Sequence, residues 1–378
     1  MRSVGLYIHI PFCVRKCNYC DFYSLACPEK HNLGDYVSII CSHIEKEAPL
    51  YRDCIFDSIF LGGGTPSLVD GDDMLRLFGA IRDNLCVSED AEISIEANPG
   101  TLTKEKLSAY KKCGINRISI GLQSSHEREL KMLGRIHSLE KFEESYSLIK
   151  EAGFENISVD LMYALPDQST KSFLESVDYV ARLNPAHISA YCLKVEGGTP
   201  FSKMELNLPS DDAQFDMYIA LCERLANHGY EQYEISNFAK KGARCVHNLK
   251  YWLSKEYVGF GPAAHSFFDG VRFFYDSDLA AYSDAIKSGK LPQKNAEEMP
   301  ALTDEEKMDE LVMLCLRLCD GISKNDFKSR FGVDFESVYD VQKYIESGHV
   351  VCDGERIRFT SKGFFASNFI LSNMLKTI

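Results

Sequence analysis

Residues 11–22 read PFCVRKCNYCDF and place Cys13, Cys17 and Cys20 in a C-x3-C-x2-C spacing just after the apolar run VGLYIHI. Thiols this close on one loop can form a disulfide, hold zinc or hold an iron–sulfur cluster. Zinc prefers four ligands, usually as two C-x2-C pairs, and no second pair or well-placed His stands nearby. A [4Fe–4S] cluster held by three thiolates leaves one iron without a protein ligand, and that iron can chelate a small molecule. Three is then a sensible count. Phe22 stands where a fourth cysteine might have been.

Such a loop needs elements to hold it. Six short apolar runs recur with helical patterns between them: 4–10, 57–63, 92–98, 117–123, 157–163 and 187–193. Strand alternating with helix predicts βα units around a parallel sheet, here an α/β partial (βα)6 barrel. Side chains alternate faces along a strand. One face collects Tyr7, His9, Ser94, Glu96, Ser119, Gly121, Gln123, Ser158, Asp160, Ser189 and Tyr191. The other collects Leu6, Ile8, Ile10, Ile93, Ile95, Ile118, Ile120, Leu122, Val159 and Leu161. The apolar face should meet the helices. The small and polar face should line an interior that takes a polar ligand. Glu96, Gln123, Asp160 and Tyr191 fall late in their strands, the end at which βα sheets bind ligands.

GGGTPS at 62–67 follows the second strand, and glycine there lets backbone approach a ligand closely. No GK[ST] follows, so it is no phosphate loop. The whole chain of 378 residues carries a formal charge of -13, which argues against nucleic-acid binding and against docking on anionic lipid. No apolar run is long enough to span a bilayer, and no signal-peptide pattern opens the chain. Cys113, Cys192, Cys222, Cys315 and Cys319 read as buried small hydrophobes in a reducing compartment, so a cytoplasmic location is expected.

Three segments are expected: a barrel over 1–200, an extension with loops over 201–299 and a separate module over 300–378. Residues 210–228 read as a helix, and RCVHNLKYW (244–252) and GFGPAAHS (259–266) as loops. Beyond 300, three helical patterns and a hairpin turning at Asp353–Gly354 predict a winged-helix-like module. Its residues 301–378 hold 10 Lys/Arg against 13 Asp/Glu, against a DNA-reading role.

The cysteine spacing, YIHIPFC, GGGTPS and the six-fold βα pattern together resemble the radical S-adenosylmethionine superfamily. In that superfamily the open iron chelates S-adenosylmethionine, and an electron from the cluster cleaves the cofactor to a 5′-deoxyadenosyl radical. From YIHIPFC to its end, the chain is similar to oxygen-independent coproporphyrinogen III oxidase and its relatives. This resemblance implies that Cys13, Cys17 and Cys20 hold the cluster. It also implies that Tyr7, Tyr19, Gly64, Thr65, Glu96, Gln123, Arg135 and Asp160 contribute to the cofactor pocket. The decarboxylating enzyme has a further cysteine at the position of Phe22, and an extension ahead of the first strand. Both departures match the HemW branch, understood as heme chaperones.

Members of that branch carry H-N-x-x-Y-W, here His247, Asn248, Leu249, Lys250, Tyr251 and Trp252. A neutral imidazole can ligate heme iron and flat rings can stack on a porphyrin. His265 is a weaker candidate for the same pocket. His9 is expected near the cluster or in the core. Cys27 and Cys245 are left unassigned. The reading that follows is a chaperone carrying heme to acceptor hemoproteins, possible respiratory membrane proteins among them, as a monomer or homodimer. Oxidative decarboxylation of coproporphyrinogen III, with Arg15, Lys16 and Arg135 as candidates for the substrate's propionates, is the alternative, followed by another radical porphyrin enzyme.

Overall fold

The computed structural model of the chain describes residues 1–26, 33–296 and 302–377; Cys27 lies outside them. The six apolar runs form β1 (Arg2–Ile10), β2 (Cys54–Gly63), β3 (Val87–Ala97), β4 (Arg117–Gln123), β5 (Asn156–Tyr163) and β6 (His187–Cys192). They stand side by side in sequence order and pair in parallel throughout. Helices cross between them, including α1 (Leu33–Glu47), α2 (Gly71–Asn84), α3 (Lys104–Cys113), α4 (Leu139–Glu151) and α5 (Thr170–Leu183). The sheet does not pair end to end, so the barrel is partial.

The two strand faces divide as their alternation predicts. Leu6, Ile8, Ile10, Ile95, Ile118, Ile120, Leu122, Val159 and Leu161 are fully buried in one core with Ile40 of α1, Leu77 of α2, Leu107 of α3 and Val177 of α5. Each such side chain contributes about 1.5–3 kcal/mol on leaving water. On the inner face, the register sets His9 beside Gly62, Glu96 beside Ser119, Ser119 beside Ser158, and Gly121 and Ser189 beside Asp160.

The extension departs from the expected loops. After α6 (Asp211–Asn227) and β7 (Asn237–Ala239), residues 246–252 form a short helix, α7 (Val246–Trp252). No side chain of its own caps it. Glu92 of β3 does so from across the barrel, accepting from the backbone of Val246 and His247 at 3.0 Å each and from Cys245 Sγ at 3.5 Å. A cap that distant in sequence leaves no local signature, which is why the segment reads as a loop.

GFGPAAHS is half strand, its two ends lying in strands and 261–264 forming the turn between them. β8 (Tyr257–Phe260) runs parallel to β1, and β9 (His265–Phe268) and β10 (Val271–Phe274) return antiparallel beside it. A helix α8 (Leu279–Lys287) follows.

The C-terminal module is a three-stranded antiparallel sheet with helices around it. Ile322–Ser323 and Val350–Cys352 flank Arg356–Phe359, and Gly354 takes the positive φ of the hairpin turn. The stretch FESVYDVQKYIESG splits into two short helices, Phe335–Val338 and Gln342–Glu346, instead of one. Buried Asp309 anchors the chain's last turn, accepting from the backbone of Lys376 and Thr377 at 2.8 and 2.7 Å and from Tyr339 Oη at 2.6 Å.

Candidate functional site

A cavity of about 520 Å³ opens where the barrel strands end. Its wall includes Cys13, Cys17, Cys20 and Tyr19 from the loop after β1, and Gly63, Gly64 and Thr65 after β2. The strand ends add Glu96, Gly121, Gln123, Asp160 and Tyr191, and Arg135 completes it. The volume suits a ligand of nucleoside size.

The loop is held from several sides. Tyr7 and His9 lie beneath it: Tyr7 Oη meets His9 Nδ1 at 3.0 Å, and His9 Nε2 meets the Tyr23 carbonyl at 3.0 Å. A carbonyl can only accept, so Nε2 carries the proton and Nδ1 accepts from the phenol. Burial lowers the His9 pKa to about 4, which keeps this neutral tautomer. His9 therefore positions the thiol loop from below. Gly63 and Gly64 fit tightly. A Cβ on Gly63, whose φ is +108°, would fall 2.5 Å from the His9 ring, and one on Gly64 would fall 2.6 Å from the Phe12 carbonyl. These glycines admit the chain's own loop as closely as any ligand.

The three thiols are free and part-buried. Burial raises those of Cys13 and Cys20 above the ordinary range, while the Thr65 hydroxyl and Arg135 act in the opposite direction on Cys13. Thr65 Oγ1 donates to Cys13 Sγ at 3.5 Å, and Arg135 Nη1 to Cys17 Sγ at 3.6 Å. Among the described residues, no three His, Cys, Asp or Glu side chains converge closely enough to hold a single metal ion. A cluster, whose irons stand apart, does not require them to converge. Three thiols beside a guanidinium and a hydroxyl are a donor set that fits such an anionic centre.

Next to the thiols the wall is polar and under-satisfied. Arg135 Nη2 donates to Asn98 Oδ1 at 2.6 Å and to the Gly121 carbonyl at 2.8 Å, but its buried Nε has no partner among the described residues. Among the described residues Glu96 accepts only from the Gly63 backbone, at 3.2 Å, and burial with Asp160 nearby raises its pKa to about 8. Burial also raises Asp160, against the Ser119 hydroxyl at 3.0 and 3.1 Å and the Arg117 charge. Gln123 sits at a register break of the β4–β5 ladder with φ +71°, a left-handed backbone that costs energy outside glycine. Burial raises the Tyr19 phenol as well. Two carboxyls, an amide and a guanidinium thus face a space that can supply an amine, hydroxyls or a carboxylate.

The other candidates lie elsewhere. His247 is fully buried in α7, with Nδ1 2.9 Å from Ser58 Oγ and Nε2 2.8 Å from Tyr251 Oη. Its ring stacks on Phe60 at 5.3 Å, and burial lowers its pKa to about 3. The helix closes the barrel from below, since Gly5, Ser58 and Glu92 all meet it one strand layer under the cavity. HNLKYW is therefore a plug anchored by buried His247 and Lys250, with its other residues half-buried, and none of His247, Asn248, Tyr251 and Trp252 lines the cavity. His265 is exposed on β9, stacked on Phe274. Cys192 is exposed on the cavity wall instead of buried, and Cys222 and Cys319 are only part-buried.

Two residues escaped the sequence reading. Asn98 joins Thr65 and Arg135, donating from Nδ2 to Thr65 Oγ1 at 2.8 Å. It falls one residue past β3, in phase with Glu96 and Ser94, a position that could have flagged it. Arg117 is buried at the start of β4, with Nε and Nη1 unpartnered among the described residues, in phase with Ser119 and Gly121.

Comparison with known proteins now bears on this geometry. Residues 7–180 match the Radical SAM superfamily and residues 302–366 the HemN C-terminal domain. A protein of Buchnera aphidicola described as "Heme chaperone HemW" is 35% identical over 99% of both chains. The chain belongs to the HemW family. Its Bacillus subtilis relative of the same description is 33% identical over 98% of both chains, and the Escherichia coli one is 42% identical over 70% of both. In fold, this HemW family member matches the solved coproporphyrinogen III oxidase (HemN) of Escherichia coli. The TM-score is 0.85 over 98% of this chain and 89% of that one, at 22% identity. Among the described residues no helix is long and apolar enough to cross a membrane.

Proposed function

We propose that this chain is a heme carrier of the radical S-adenosylmethionine type, acting in the cytoplasm and passing heme to acceptor hemoproteins. Cys13, Cys17 and Cys20 would hold a [4Fe–4S] cluster. Tyr19, Gly64, Thr65, Glu96, Gln123, Arg135 and Asp160 would hold S-adenosylmethionine beside it, with Tyr7 supporting the loop from below. When bound, the cluster supplies an open iron and an electron for cleaving the cofactor. This chain's own residues do the rest. Arg135 offsets thiolate charge, Glu96 and Asp160 accept from an amine or from hydroxyls, and His9 keeps the loop in place. The labour divides along the chain: 1–200 for the cofactor site, 201–299 for closing the barrel and 300–378 for a separate module.

The observation that carries this reading is one cavity that brings three free thiols against a polar wall with an unpartnered Arg135 Nε, in a chain whose relatives are described as heme chaperones. For His247 to ligate heme iron, its bonds to Ser58 and Tyr251 must break and α7 must leave the barrel. The test is an anaerobic heme titration of the reconstituted protein, followed by absorbance. Saturation near one heme per chain is expected. A flat titration would favour oxidative decarboxylation of coproporphyrinogen III, to be tried next with S-adenosylmethionine and a reductant, although Phe22 stands where that enzyme has a cysteine.

A further inference from the structure

The cavity mouth carries an apolar collar that the cofactor reading does not use. Val14, Phe22 and Ile136 all border the cavity and are 46%, 70% and 60% exposed. Tyr191, also exposed, adds a ring from the end of β6. Large apolar side chains kept in water around one opening mark a binding surface. Val14 and Phe22 belong to the thiol loop and Ile136 follows Arg135, so the collar stands directly outside the thiols and the guanidinium.

Cations stand within the collar. Arg15 is exposed, and Lys16 Nζ donates to the backbone carbonyl of Phe22 at 3.0 Å, which places an ammonium at the base of that ring. Lys194 is also at the mouth but is paired with Glu196 at 2.7 Å. S-adenosylmethionine is polar and cationic, and its partners lie deeper. A collar of this kind suits a wide, flat, apolar body with carboxylates on its edge.

Resting on the heme-carrier reading, we infer that a metalloporphyrin lies across this mouth. Its ring face packs on Phe22 and Ile136 and its propionates point to Arg15 and Lys16, so that the cargo closes the cofactor cavity. S-adenosylmethionine beneath it cannot leave until the porphyrin moves. The placement needs no opening of α7.

The test uses the full chain, reconstituted anaerobically, and hemin as the ligand. Phe22→Ala with Ile136→Ala should raise the hemin Kd by about tenfold or more. Arg15→Glu with Lys16→Glu should raise it several-fold through the propionates. Arg15, Phe22 and Ile136 are exposed and Lys16 is half-buried with its ammonium on a backbone carbonyl, so the brown cluster absorbance should persist in both variants and certify their fold. Independently, release of bound radiolabelled S-adenosylmethionine from the wild type should slow by about tenfold once hemin is added. Wild-type affinity in both variants, or cofactor release indifferent to hemin, overturns the mouth site. In that case wild-type hemin binding leaves the heme-carrier reading standing. Absence of hemin binding by the wild type overturns both.

Discussion

The two ends of the barrel use the same residue types to opposite effect. Below, Glu92 accepts three donors from the start of α7, His247 has both nitrogens engaged, and Ser58 and Tyr251 complete the set. Above, Glu96 accepts once, Arg135 leaves Nε bare, and three thiols line an open wall. Satisfied polar groups rigidify a core, whereas unsatisfied ones raise its free energy until something binds. The lower end therefore reads as stability and the upper end as a site, although a histidine among aromatic rings looks the more ligand-like in sequence. Arg117 sits between them, its charge felt by both Glu92 and Asp160.

The contrast can be broken most directly at the thiols. Replacing Cys13, Cys17 and Cys20 together by alanine should abolish the brown chromophore after anaerobic reconstitution, while Cys192→Ala, on the same wall, should keep it. Survival of the chromophore in the triple variant would place the ligands elsewhere.

The lower end is tested through stability. His247→Ala removes a buried ring and leaves Ser58 and Tyr251 unpaired. Denaturant unfolding should show a loss of about 3 kcal/mol, from the cavity and the two hydrogen bonds. Heme affinity should stay unchanged in the folded protein. Unaltered stability with lost heme binding would mean that α7 opens to form a site, and the contrast between the ends would collapse.

Asp160→Ala sharpens the upper end. S-adenosylmethionine should bind about tenfold more weakly by calorimetry, about 1.4 kcal/mol, with the cluster intact.

The smallest effect is in pH. A carboxyl whose folded pKa is raised from 4.5 to about 8 keeps its proton in the folded state after the unfolded chain has lost it. Glu96 thus costs stability increasingly as pH rises from about 5 to about 8. Glu96→Gln should flatten that part of the stability profile relative to wild type. Parallel profiles would show that Glu96 is already ionised there.

The six barrel strands were legible because a parallel sheet buries one face in helices and the alternation prints that burial on the sequence. Glu96, Gln123 and Asp160 emerged from the same alternation, at strand ends. What was not legible depends on distant partners. The seven residues of α7 have too little length to show a period, and their cap is Glu92, far off in sequence. β8 was hidden because its pairing partner is β1, at the other end of the chain. Likewise, the phase of Arg117 along β4 was readable, but its burial without partners was not.

Tyr23 follows the thiols by three residues and is gripped twice. Its carbonyl accepts from His9, and its hydroxyl accepts from the Leu279 amide, the first residue of α8, at 3.1 Å. Further along α8, Tyr282 Oη takes the Gly261 amide at 2.9 Å and meets His43 of α1. The thiol loop is thus tethered to a helix that does not line the cavity. Slackening of that loop, for instance on loss of the proposed cluster, should be transmitted mechanically to α8. The hydrogen-exchange rate of the Leu279 amide then becomes a remote gauge of the order of the thiol loop.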